Sequence, residues 1–487
     1  MPSSSCVRSC KRAASSHGLY ALISADVPPP LEVDPARRIF GLETEFGLHL
    51  DTAVTRPVTP EEVAGHLFHS VVQWGRSSNV FLTNGSRLYI DVGAHPEYAT
   101  AEADNLTDLI ALDKAGERIV QDLVAGGEDR LRAAGVEGTI HLYKNNTDSS
   151  GNSYGCHENY LVRRRADFKA FASELLPFLV TRQIVTGAGC ITRTPHGAHY
   201  SFSPRADHMW EGMSSATTRS RPMINTRDEP HANAELYRRM HVIVGDSTMA
   251  EPTTLLKMGS TDLILRLMEA RVPMPGLALA REMQAIRDVA HDLTGAATVE
   301  LADGRQLTAI EVQQAYVDLV RTHIGGIIAP NDEVTSILDL WQRGIDAVRG
   351  QDFALVETEL DWAIKHKIVS RYQERLGCEL DDPRLARLEL AFHDISPEHG
   401  LFYRLQAQGL VRRIVDEDSI ESAKTTAPTS TRAHLRGQFV TAAVEAGRDY
   451  TVDWVHLKVT GEESRTVLLK DPFRSADARV DELIDSL

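Results

Sequence analysis

RIFGLETEFGLHL, residues 38–50, alternates along its whole length. Phe40, Leu42, Thr44, Phe46 and Leu48 fall on one side, and Gly41, Glu43, Glu45 and Gly47 on the other. A period of two makes this a strand with one mainly apolar face and one acidic face. Like charges so close on a sheet face repel, so a cation should lie over Glu43 and Glu45: an arginine, a lysine or a divalent metal. An arbitrary E-x-E is usually a solvated face. Here the apolar opposite side and the flanking Gly41 and Gly47 set the pair apart.

A second strand is expected at residues 86–92, after an Asn84-Gly85 turn. Leu88, Ile90 and Val92 would form its buried face, which leaves Arg87, Tyr89 and Asp91 together on the other, about 6.5–7 Å apart. An arginine grips phosphate, and an aspartate serves as base or metal ligand. Glu97 follows His95-Pro96 and adds a carboxylate. Hard oxygen ligands of this kind suit Mg²⁺ held with nucleotide phosphates and make a poor zinc set.

Between these strands, Thr59, Pro60 and Glu62 read as cap, first turn and capping box of a helix. Another helix is expected over 105–124, and strands over 139–143, 158–162, 200–203 and 241–245. From 253 to 393 the pattern is mainly helical, with Leu263, Leu267, Ile337, Leu340 and Trp341 as core candidates. Strands first and helices later predict an α+β chain. The expected division is a disordered arm over 1–36, a catalytic domain over 37–402 and a small C-terminal domain over 403–487 with a strand near 450–457.

Two further segments carry polar chemistry. KNNTDSSGNSYGCHENY, 144–160, is a long loop with Gly151 and Gly155 as hinges and His157 and Glu158 as its reactive candidates. Residues 217–241 place Arg219, Arg221, Arg227, Arg238 and Arg239 against Asp228, Glu229 and Glu235, a local basic excess suited to phosphate or an acidic partner, or simply a solvated charged face. No G-x-x-x-x-G-K-[ST] or G-x-G-x-x-G is present, so neither a P-loop nor a Rossmann nucleotide site is supported.

The whole chain of 487 residues carries 52 basic and 68 acidic residues, a net charge of −16. That argues against nucleic-acid binding, where a basic surplus supplies the affinity. No apolar run approaches the length of a membrane span. Five scattered cysteines make a poor disulfide framework and fit a reducing, cytoplasmic setting.

GLETEFG at 41–47, NGSRLYIDVGAHPEYATAEADN at 84–105, KNNTDSSGNSYGCHENYLV at 144–162, SSATTRSRPMINTRDEPHA at 214–232, YRRMHVIVGD at 237–246 and DWVHLK at 453–458 together resemble the Pup ligase family, also called proteasome accessory factor A. Pup is the prokaryotic ubiquitin-like protein. The resemblance implies a glutamine synthetase-like carboxylate-amine ligase whose curved antiparallel sheet cradles ATP and Mg²⁺. It places Glu43, Tyr89 and Glu97 at metal-binding positions, Arg87, Thr100 and Trp454 at ATP-contacting positions, and Asp91 as catalytic base. Glu45, His157, His241, Arg227 and Arg239 fall among the remaining metal and phosphate contacts. Ala103 stands where the family often has cysteine.

The activity implied is phosphorylation of the side chain of Pup's C-terminal glutamate, then isopeptide-bond formation with lysines of target proteins, which marks them for the bacterial proteasome. The alternative is the sister enzyme on the same fold, a hydrolase that deamidates Pup and releases it from substrates. That enzyme carries a longer insertion between the first strand and the N-G-x-R-L-Y motif, and here the connection is short.

Overall fold

Phe46 divides the long opening strand in two. Its backbone N–H donates to Pro96 O at 2.8 Å and its carbonyl meets His95 Nδ1 at 3.0 Å, so the chain is held between separate ladders on either side. In chain order the elements are β1 (Phe40–Glu45), β2 (Gly47–Asp51), α1 (Pro60–Leu67), α2 (His69–Gly75), β3 (Asn79–Phe81), β4 (Arg87–Asp91), β5 (His95–Ala99), α3 (Leu106–Ala133), β6 (Thr139–Tyr143) and β7 (Cys156–Arg163). They continue with α4 (Phe168–Thr181), α5 (Gln183–Thr186), β8 (Cys190–Thr194), β9 (Gly197–Ser201), β10 (Glu211–Ser214), β11 (Pro222–Asn225), β12 (Tyr237–Val242) and α6 (Glu251–Glu269). The computed structural model describes residues 37–53, 56–148, 151–195, 197–215, 221–329, 331–461 and 464–487. The arm expected over 1–36 and Arg219 lie outside them.

β1 enters an eight-stranded sheet of order β10-β11-β12-β7-β1-β5-β4-β3, antiparallel except for β10 beside β11. β2 pairs with β6 in a separate two-stranded ladder. The apolar side of the large sheet, including Phe40, Leu42, Tyr160, Val162, Met240 and Val242, packs on Leu106, Leu109 and Ile110 of α3 and Leu255 and Leu256 of α6. Burying that side leaves the alternate residues, Glu43 and Glu45 among them, on the opposite face. The mixed architecture is the α+β class expected.

Local signals set most boundaries, and tertiary contacts moved the others. Thr59 caps α1 by accepting from Glu62 N at 3.2 Å, but the Glu62 carboxylate turns to Arg56 at 3.0 Å, so only half of the capping box forms. α3 starts at the Asn105 cap and runs on to Ala133, past the expected end at 124. Its Gly127 lies against α1: a Cβ there would sit 3.2 Å from Leu67 Cα. Val92, expected on the buried face of β4, is 86% exposed, because the strand stops at Asp91 and turns through Gly93 and Ala94, both with positive φ. The strand expected at 200–203 is β9, and the one at 241–245 is β12, shifted toward the N-terminus.

Leu263, Leu267, Ile337, Leu340 and Trp341 are all core residues. A separate core near the C-terminus joins Leu435, Phe439, Leu457, Val459, Val467, Val480 and Leu483 from two helices and a three-stranded sheet over Tyr450–Val452, His456–Val459 and Arg465–Leu468. The expected division at 402/403 cuts the helix Leu401–Ala407, whose Phe402 belongs to a core shared with α1 and α3. Among the described residues no helix is long and apolar enough to cross a membrane.

Candidate functional site

Antiparallel register decides which side chains share the polar face, since residues directly opposite point the same way. Tyr89, Glu97 and Glu45 form one row across β4, β5 and β1. Glu43 stands opposite His157 of β7, and His241 of β12 opposite Asn159. Residues distant in sequence thus meet over the centre of the sheet.

Glu43 is the hub of the first group. His157 Nδ1 lies 2.9 Å from its Oε2 and His241 Nε2 lies 3.6 Å from the same oxygen. Asn159 Nδ2 donates to Oε1 at 3.1 Å, and Arg239 Nη1 is 3.5 Å away. Burial opposes ionisation of Glu43, but the hydrogen bond from His157 and the charges of the two histidines outweigh it, holding the carboxyl well below its ordinary value. Burial pushes His241 down, and both its ring nitrogens are buried without a hydrogen-bond partner among the described residues.

The second group is Glu45, Asp91 and Glu97, whose carboxylate oxygens lie within 4.8 Å of one another. Burial, then the charges of Glu43 and Glu45, push Glu97 well above the ordinary carboxyl range. The Tyr89 phenol beside Glu97 is raised as well, by burial and by the neighbouring carboxylates. Arg87 lies 4.2 Å over the Tyr89 ring, with its Nε donating to Asn79 Oδ1 at 2.8 Å. Gly155 is required here, because a Cβ would collide with His157 Nε2 and Glu45 Oε1.

Next to Glu43 opens a mainly apolar cleft lined by Gly41, Ala99, Thr100, Asn159, Leu161, His231, Arg432 and Trp454. Trp454 stands edge-on to Phe81 with ring centroids 4.9 Å apart, and the Arg436 guanidinium lies 5.0 Å over its ring. Thr100 is buried, its hydroxyl accepting from Leu42 N at 3.0 Å. The C-terminal wall is fixed by Glu102, which accepts from Arg432 Nε at 2.7 Å and Arg436 Nη1 at 2.6 Å. Burial opposes its charge, yet the two arginines hold the Glu102 carboxyl below its ordinary value.

The expected residues therefore sort into three neighbouring sets. Glu43, His157, His241 and Arg239 meet; Glu45, Tyr89, Asp91 and Glu97 meet; Thr100 and Trp454 line the cleft. Arg227 joins none of them. It is exposed on the loop after β11, 3.7 Å from Glu229, which also reaches Arg239 at 3.2 Å. Glu158 is a structural residue: it lies on the apolar side of β7, accepting from Tyr160 OH at 2.7 Å and paired with Arg182. The basic excess of 217–241 is largely neutralised in place, since Arg227, Arg238 and Arg239 all meet carboxylates. Asn159, His231 and the Glu102 pairs were missed, because only strand pairing and the closing of the C-terminal segment bring them to the site.

The residues present fit divalent cations. Three carboxylates with oxygens within 4.8 Å of one another make a hard oxygen set, and the nitrogens of buried His241 beside Glu43 and His157 supply a second.

The family profile described as Pup-ligase protein matches residues 38–458. A Pup--protein ligase of Jonesia denitrificans is 60% identical over 456 residues, covering 93% of this chain and 98% of its own. One from Rhodococcus opacus is 56% identical over 451 residues, covering 93% and 100%. Among solved structures, the complex between Pup and its ligase PafA aligns with a TM-score of 0.89 at 45% identity, over 93% of this chain and 92% of that one. PafA in complex with ADP aligns at 0.81 and 46% identity, over 90% and 96%. On this site, this fold and this extent of similarity, the chain belongs to the Pup ligase family.

Proposed function

We propose that the chain is the ATP-dependent ligase that joins the C-terminal glutamate side chain of Pup to lysines of target proteins. The observation that carries the reading is the placing of the site: an apolar cleft lined by Trp454 reaches Glu43, whose charge acts on Glu97 in the neighbouring Glu45, Asp91 and Glu97 group. A nucleotide base is a flat apolar body, and its phosphates need the charged end. The similarity to PafA with ADP and PafA with Pup supports the same two occupants.

A carboxylate is a poor acyl donor because its leaving group would be oxide. Transfer of a phosphoryl group from ATP to the glutamate side chain makes phosphate the leaving group, and the target lysine then attacks the carbonyl carbon. Arg87 and Arg239 are the arginines that face phosphate in this reading. Asp91 takes a proton from the lysine ammonium, and the neutral amine attacks. With an ordinary pKa near 10.4, about one lysine in a thousand is neutral near pH 7.4, a deficit of roughly 4 kcal/mol that a base at hand offsets. Glu43, Tyr89 and Glu97, with Glu45, His157 and His241 beside them, are the residues to hold Mg²⁺. When bound, Mg²⁺ supplies positive charge against the phosphoryl oxygens.

Purified chain, ATP, Pup ending in glutamate and a lysine-bearing target test the reading. Conjugate with ADP release is expected. Release of Pup from preformed conjugate, with no new conjugate, would establish the hydrolase instead. Asp91→Asn should lose conjugation while still binding ADP, and normal turnover by that variant would remove Asp91 as the base.

A further inference from the structure

His95 presents one ring nitrogen to the site while the fold fixes the other. It opens β5 directly opposite Asp91 of β4, so both side chains stand on the polar face, with Cβ atoms about 5 Å apart. Its Nδ1 lies 3.0 Å from the Phe46 carbonyl, at the break between β1 and β2. A carbonyl only accepts, so Nδ1 bears the hydrogen and Nε2 a lone pair. The ring plane is fixed as well: Tyr154 packs on it with centroids 4.4 Å apart, and the Tyr154 hydroxyl donates to Asn145 Oδ1. Tautomer and orientation are thus both set before any reactant arrives.

The approach to Nε2 is open. The atom has no hydrogen-bond partner among the described residues, and it is not sealed from solvent. Gly93 lies before it with a φ of +87°, and a Cβ there would stand 3.1 Å from His95 Cδ2 and 3.3 Å from Nε2. A lone pair also selects its partner. Phosphate oxygens, the glutamate carboxylate and an acyl phosphate only accept hydrogen bonds, and Mg²⁺ prefers oxygen. The donors of a nucleotide, on its base and ribose, belong to the cleft at Ala99 and Thr100, and Ala99 closes β5 about 13 Å from His95. The donor that remains is the lysine ammonium.

We infer that His95 Nε2 accepts a hydrogen bond from the ammonium of the incoming lysine and holds it beside Asp91, which makes His95 a residue that selects the nucleophile. The inference rests on the ligase reading and assigns His95 binding alone, since the proton goes to Asp91. A charged donor between one carboxylate and one neutral acceptor is held in a single direction, and that direction is what attack on the carbonyl carbon requires.

The test supplies the full chain with ATP, Mg²⁺, Pup ending in glutamate and one of two nucleophiles. Nα-acetyl-lysine arrives as an ammonium, whereas hydroxylamine is uncharged near neutral pH and displaces phosphate from the activated glutamate to give a hydroxamate. The readout is the ratio of kcat/KM for acetyl-lysine to that for hydroxylamine, in wild type, H95N and H95Q. Asparagine can keep the bond to Phe46 O but offers nothing at Nε2, and glutamine places an amide oxygen there. The ratio should fall about tenfold or more for H95N and less for H95Q. A folded H95N with an unchanged ratio overturns the inference, including one that loses both reactions equally, since that marks a structural role. Should H95N not fold, G93A decides, because its methyl group stands against Nε2: a fallen ratio supports the inference and an unchanged one rejects it. Wild type that forms neither conjugate nor hydroxamate sinks the ligase reading itself, a result distinct from an unchanged ratio.

Discussion

Glu45 and Glu97 oppose each other residue against residue across the β1–β5 ladder, and the Asp91 carboxylate comes within 4.8 Å of both. Directly opposed like charges destabilise a sheet. With Glu97 only 3% exposed, water does little to screen them. The site therefore holds a repulsion that a divalent cation converts into attraction.

Glu97→Gln removes one of the three carboxylates. The metal-free variant should be more stable than the parent by about 1 kcal/mol, and the stabilisation that Mg²⁺ gives the parent should vanish. Thermal unfolding with and without Mg²⁺ reads both effects. A variant retaining the full Mg²⁺ response would exclude this oxygen set as the cation site.

Trp454→Ala takes away the largest apolar wall of the cleft. Loss of an aromatic wall against a base is worth about 1–3 kcal/mol, so nucleotide affinity should fall roughly 5- to 150-fold. Calorimetry with ADP measures it directly. Equal ADP affinity in the variant would mean that the base does not lie against this ring.

Glu102→Ala leaves Arg432 and Arg436 buried with their shared anion gone. Breaking one partner of a buried ionic group costs about 3–5 kcal/mol, and ADP binding should weaken too, since Arg432 and Trp454 share the cleft wall. Urea unfolding and ADP titration on the same sample report the two effects. A stability change below about 1 kcal/mol would show that the C-terminal segment is held by its apolar contacts instead.

His141 Nδ1 lies 2.8 Å from Asp394 Oδ2, and that carboxylate raises the imidazolium above its ordinary value. The pair's contribution is fully present below the unfolded value of about 6.5 and is lost as pH rises through the higher folded value. His141→Gln should flatten the decline in unfolding free energy between pH 5.5 and 8.5 by less than about 1 kcal/mol, because the pair is partly solvated. An unchanged pH slope would show that the charge interaction contributes nothing.

The acidic face was legible because its signals are local. Alternation in 38–50 and 86–92 assigned Glu43, Glu45, Tyr89 and Asp91 to one side of their strands before any pairing was known. The grouping was not legible. Which carboxylate meets which histidine depends on the register of β1 with β5 and β7, which is set by contacts more than fifty residues apart in the chain. The family motifs supplied the roles, whereas Glu102 looked like any acidic residue beside Ala101 and Ala103. The break at Phe46 and the end of β4 before Val92 escaped the pattern for a related reason. Both are imposed by the β4–β5 hairpin, and neither has a proline or a local apolar gap to announce it.

The ties from Glu102 to Arg432 and Arg436 join the segment just after β5, which leaves the ribosome early, to a helix made more than three hundred residues later. The nucleotide cleft has no far wall until that helix and Trp454 exist. On the proposed reading, a nascent chain that has assembled its carboxylate clusters still lacks the wall against which a nucleotide would be clamped.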